Sequence, residues 1–101
     1  MEPYNEFAEL HLTAFKEKMR ITHDDEDTNL LNILRSSAFL IAQLVGAREL
    51  DETIAELVFN RAMCDYNDAL DEFMGLYRDE IETLYFINLE KEYEHAKEED
   101  V

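Results

Sequence analysis

The stretch from Asp51 to Tyr77 constrains this chain more than any other. Apolar residues recur at Ile54, Leu57, Val58, Ala62, Tyr66, Ala69, Leu70 and Phe73. That spacing lays one continuous stripe along an α-helix, because side chains three and four positions apart share a face. Asp51 stands where an N-cap belongs, and Glu52 falls in the first turn, near the positive end of the helix dipole. No proline interrupts the run, and Gly75 offers a place for it to end or bend. A helix of roughly 23 residues would span about 35 Å, the height of a small domain. The remaining segments are expected to pack against this rod.

Three flanking segments carry helical patterns of their own. Pro3 suits a helix start, and Phe7, Leu10 and Ala14, extended by Phe15 or Met19, trace a modest apolar face over residues 6–19. Lys16, Lys18 and Arg20 cluster at the end of that segment, where positive charge complements the dipole. From Thr28 to Val45, the residues Leu30, Leu34, Ala38, Ile41 and Val45 form one row, widened by Leu31, Ala42 and Leu44. Gly46 follows at the position of a left-handed C-terminal cap. Beyond Gly75, the residues Leu76, Tyr77, Ile81, Leu84, Tyr85 and Leu89 give a further pattern, either continuing the long helix or folding back.

With 101 residues the chain has enough length for one thin core. An apolar share of 47% is too high for wholesale disorder, while two Gly and one Pro are too few for a turn-rich β fold. The reading is an all-α fold: a small bundle of three to four helices built around one long central helix. Residues 1–89 form the helical domain, and the charged residues 90–101 form an acidic, flexible C-terminal tail with little to bury.

Nine basic residues against 25 acidic ones leave a net charge of −16. Groove binding to DNA and docking on an anionic membrane are disfavoured, since phosphate contacts need Lys and Arg. No apolar run approaches the about 18 residues of a membrane span. The single Cys64 excludes an intrachain disulfide, suits a reducing cytoplasm, and is expected to pack as a small apolar residue.

Chemistry is sparse. The acids of Asp24–Asp25–Glu26–Asp27 do not fit a calcium loop starting at Asp25. Leu30 occupies the place of the turn glycine and Ser36 that of the bidentate glutamate. Asp24 or Asp25 is expected to cap the following helix instead. Glu92 and His95 have the E-x-x-H spacing of a di-iron helix, but no second copy exists. His11 and His23 are isolated, and no phosphate loop or nucleophile setting is present. The expectation is a non-enzyme with no cofactor and no metal.

Three motifs carry a resemblance. The first is Ile21–Thr22–His23–Asp24–Asp25–Glu26–Asp27 leading into Leu30, Leu31 and Ile33. The second is Arg61 followed by Asp65–Tyr66–Asn67–Asp68–Ala69–Leu70 and Phe73; the third is Asp79–Glu80–Ile81 with Thr83–Leu84. In this order they resemble the small helical head–tail connector (adaptor, head-completion) proteins of tailed phages, over about residues 12–86. The resemblance implies a virion protein, made in the host cytoplasm, that forms a ring, commonly twelve-fold, under the portal vertex. The portal protein would lie above it and a stopper or tail-completion protein below, with DNA passing through the lumen without specific binding. By the same resemblance Arg61, Asp65, Tyr66, Phe73 and Ile81 belong to the core or subunit interface; the residues themselves favour an internal salt bridge of Arg61 with Asp65 or another acid over a partner contact. The segment from Leu89 through Tyr93 to Val101 would reach the portal. Carboxylates lining a lumen would repel the DNA backbone and let it slide. The alternative is an acidic DNA-mimic inhibitor that binds a basic nucleic-acid-binding protein; it requires acids at phosphate-like spacing on an outer face.

Overall fold

Local signals at the helix ends set the architecture. The computed structural model describes the backbone of residues 2–99 and the side chains of residues 2–94. Four helices follow in order: α1 Glu2–Met19, α2 Asp27–Val45, α3 Glu52–Tyr66 and α4 Leu70–Glu99. Among the described residues there is no strand. The all-α bundle expected from the apolar periodicities is the observed fold.

Short connections force successive helices to run antiparallel. Tyr4 near the start of α1 packs edge-on against Phe39 in the second half of α2, while Phe15 shares a cluster with Leu30 and Leu34 in the first half. Tyr66 at the end of α3 meets Glu26 at the start of α2. Asn88 of α4 meets Val45 at the end of α2, so α4 runs alongside α2 in the same direction. α2 packs against all three other helices. Its row Leu30, Leu34, Ala38, Ile41 and Val45 is fully buried, as the spacing predicts. Leu44, which widened that row on paper, is 40% exposed.

The rod expected over residues 51–77 is in fact two helices. α3 stops at Tyr66, and the chain reverses through Asn67, Asp68 and Ala69. Asp68 takes the left-handed conformation, φ 55°. The Asp68 N–H donates to the Asp65 carbonyl and the Ala69 N–H to that of Cys64, the double bond that closes a Schellman end. A left-handed non-glycine residue costs about 1–2 kcal/mol, less for Asp. Folding α4 back buries Phe73 and Ile81 to 3% and 5% exposure, and each such side chain contributes about 1.5–3 kcal/mol. Burial wins, so the helix breaks without a glycine or proline. The bundle is therefore organised around α2 rather than around a rod at 51–77.

The same closure ends the two earlier helices. Arg20 (φ 60°) and Gly46 (φ 63°) occupy the left-handed position after α1 and α2. Ile21 and Ala47 then donate back to Lys16 and Ala42. The cap anticipated at Gly46 is present. So is the one at Asp51, whose carboxylate accepts from the Thr53 N–H at 2.9 Å and from the Thr53 hydroxyl. The cap expected from Asp24 or Asp25 is not. Glu26 holds the N-cap position of α2 without a side-chain bond to the helix, and Asp24 and Asp27 are engaged by Lys16.

Gly75, expected as the end or bend of the long helix, lies inside α4 with nothing within 4 Å of where a Cβ would stand. Gly75→Ala is predicted to raise stability by about 0.5–1 kcal/mol by removing glycine's unfolded-state freedom. Gly46→Ala is predicted to lower it by about 1–2 kcal/mol. There the nearest atoms, on the Tyr85 ring, lie at a comfortable 3.8 Å, and the positive φ alone carries the penalty. Urea midpoints of the two variants should move in opposite directions; a shared sign would contradict this account.

Candidate functional site

Two surfaces gather the residues that the sequence singled out. The first is the polar end where α1, α2 and α3 meet. The Lys16 ammonium, one turn from the end of α1, donates to Asp24 Oδ1 and Asp27 Oδ1, both at 2.7 Å. It spans the loop and ties α1 to the first residue of α2. Glu26 Oε2 accepts the Tyr66 hydroxyl at 2.8 Å and lies 3.7 Å from His23 Nε2. Asp24, Glu26 and Asp27 thus form a clasp among three helices. The hydrogen bond to Glu26 also raises the Tyr66 phenol above its ordinary value.

The clasp has a defined pH dependence. Its hydrogen bonds and charge raise Lys16 from its ordinary 10.5 and lower Asp24 from its ordinary 3.8. A lowered carboxyl contributes stability that is present above 3.8 and lost as pH falls through the folded-state value. A raised ammonium contributes stability present below 10.5 and lost as pH rises through the higher folded-state value. Lys16→Met is therefore predicted to be less stable than wild type at neutral pH. Its deficit should shrink in acid below the ordinary carboxyl value and in strong alkali. Denaturant titrations at acid, neutral and alkaline pH check this; a pH-independent deficit would mean that only packing was lost.

The residues proposed for core or interface divide. Phe73 and Ile81 are buried against Ala38, Ile41, Val45 and Val58. Tyr66 and Asp65 are half-buried and line a polar groove with Glu26, Asn29, Asn32 and Ser36. The internal pairing expected of Arg61 with Asp65 or another acid is not found: among the described residues its guanidinium Nη1 donates instead to Ser37 Oγ at 3.0 Å. Ser37 is wholly buried, so the acid-rich surface is not what fixes this arginine. Cys64 is half-buried; burial, with Glu72 nearby, pushes its thiol up and away from reactivity.

The second surface is the distal half of α4. The inward face of α4 carries, in its first half, Phe73, Tyr77, Ile81 and Leu84, all packed on the core. Asn88 completes this face: its amide Nδ2 donates at 2.8 Å to the carbonyl of Val45, one of the unpaired groups at the end of α2. Beside this face run Tyr85, Phe86, Leu89 and Tyr93, which are 43%, 64%, 50% and 69% exposed. At 100° per residue these four share one arc of the helix. Exposed apolar side chains scattered singly are ordinary, but an arc of aromatic and aliphatic groups at helical spacing makes this a candidate contact surface. α4 continues past the end of α2, where an exposed Arg48–Glu92 pair at 3.5 Å is a contact worth little in water. The eleven residues from Leu89 to Glu99 amount to roughly 16 Å of helix. Val101 lies outside the described residues.

Sequence reasoning missed Ser37, Glu26 and Asn88 as partners, because hydrogen bonds between residues 24–43 positions apart leave no periodic trace. Of the E-x-x-H pair, Glu92 meets Arg48 and the His95 side chain lies outside the described ones. His11 donates Nδ1–H to the Phe7 carbonyl at 2.8 Å and stacks on the Phe7 ring, a packing role. Among the described residues no group of three or more His, Cys, Asp or Glu is placed to hold a metal ion, and no helix is long and apolar enough to cross a membrane. The chain matches no protein-family model, no curated protein and no solved structure.

Proposed function

We propose that this chain is a non-enzymatic assembly protein of the head–tail connector kind, which takes its place in a ring beneath a portal vertex. The carrying observation is the exposed arc of Tyr85, Phe86, Leu89 and Tyr93, which begins beside the end of α2 and continues along the part of α4 that runs past it. A chain with net charge −16 repels nonspecific company. An apolar arc kept exposed on such a chain therefore suits a specific partner. In this reading α4 docks on the portal protein, and the bundle is presented to a stopper or tail-completion protein. Neighbouring copies close a ring whose carboxylates face the passing DNA.

Co-sedimentation of the purified protein with its candidate portal ring tests the proposal. Stoichiometric binding is expected. Truncation after Leu89, or the double change Leu89→Asp with Tyr93→Asp, should weaken it by roughly 30-fold, the loss of one central anchor worth about 2 kcal/mol. Binding that survives both changes would move the contact to the bundle. Absence of binding by wild type would sink the connector reading.

A further inference from the structure

We propose that α4 is exchanged between copies of this chain, with α3 and α4 joining across residues 67–69 into one continuous helix. This goes beyond the connector reading and does not rest on it. Three observations converge on the exchange.

The hinge is short and strained. Asn67, Asp68 and Ala69 reverse the chain with neither glycine nor proline, and Asp68 is held at φ 55°. Tight, strained hinges favour exchange of the element they connect, because opening releases the strain while the element keeps its contacts.

The helical phase is unbroken across the turn. Ala62, Tyr66, Ala69, Phe73 and Tyr77 follow one another at steps of four, three, four and four, and all are buried or half-buried. A straightened hinge therefore leaves one continuous apolar stripe rather than two faces out of register.

The seat of α4 is provided by α2 and α3. Phe73 and Ile81 fill it, and Asn88 closes it on the Val45 carbonyl. An identical α4 from a second copy satisfies every one of these groups. The occupant is thus another copy of this chain, bound through a surface that is complementary to it by construction.

The test combines oligomeric state with an intrachain distance. Glu56 and Glu80 are both exposed and line one shallow groove between α3 and α4. Spin labels at these positions, in a Cys64→Ser background, lie close together in the hairpin. A continuous helix separates them by 24 residues, roughly 36 Å. Light scattering and pulsed electron resonance on label-diluted samples are followed across a wide concentration range, at moderate salt to screen the like charges. The wild type is expected to gain dimer and the long intrachain distance together as concentration rises. Asn67→Ala with Asp68→Ala, which favours the helix, should shift that transition to roughly tenfold lower concentration, and Asp68→Gly, which relieves the left-handed turn, to roughly tenfold higher. Dimers that keep only the short distance would overturn the exchange. So would a chain that stays monomeric with the short distance in wild type and in the double variant.

Discussion

Phe15→Ala is expected to lower unfolding stability by about 3–5 kcal/mol, the largest loss from any single truncation in this bundle. Phe15 is 0% exposed, packed with Ala8, Leu30, Leu34 and Ala62 and tilted against the Phe59 ring at 5.7 Å. Its removal opens a cavity at the junction of three helices, among Ala8, Leu30, Leu34 and Ala62. Domains of this size hold a net stability of only about 5–15 kcal/mol. The variant should therefore melt roughly 15 °C or more below wild type. Thermal and urea denaturation followed by circular dichroism measure it. A loss under about 1 kcal/mol would show that α1 contributes little to the core and that Phe15 is dispensable.

Arg61→Ala should cost about 2–3 kcal/mol, more than the surface position of an arginine ordinarily implies. The Arg61 guanidinium is the hydrogen-bond partner of Ser37 Oγ, and Ser37 is 0% exposed on the inner side of α2. Truncation leaves a buried hydroxyl without its donor and strips the aliphatic stem of Arg61 from the helix interface. The reverse change, Ser37→Ala, should cost less, about 0.5–1.5 kcal/mol, because the half-buried guanidinium can turn to water. Equilibrium unfolding of both single variants and the double variant closes the cycle. The double variant should then be no less stable than Arg61→Ala alone, since the orphaned hydroxyl is gone. Equal costs for the two single changes would mean that packing, and not the buried hydroxyl, sets the value of Arg61.

Much of this bundle was legible residue by residue. The Leu30–Val45 row, the Gly46 cap and the Asp51 cap each follow from a few adjacent side chains, and each stands where the sequence places it. Burial of Phe73 and Ile81 was legible as well, since both continue the apolar stripe. The candidate contact surface was legible only in part. Leu89 and Tyr93 were marked as docking residues, but Tyr85 and Phe86 join them only once the inward face of α4 is known to be spent on the core.

The break between α3 and α4 was not legible, and neither was the clasp. Asn67 and Asp68 are tolerable inside a helix and tolerable in a turn; the local preference differs by less than about 1 kcal/mol. Asp24 and Asp27 are as suited to capping a helix as to holding Lys16. Such near-ties are settled by groups distant in sequence. By itself the sequence determined the buried row of α2, two of the caps and the heavy negative charge, because each depends on residues within one or two turns; on α1 the expected face held at Phe7 but not at Leu10, which is 79% exposed, or at Ala14. Only the tertiary structure decided where the long apolar stripe folds back, which acid takes which partner, and which arc of α4 is left exposed. Burying Phe73 and Ile81 against α2 and α3 contributes several kcal/mol, enough to override any local preference along the chain.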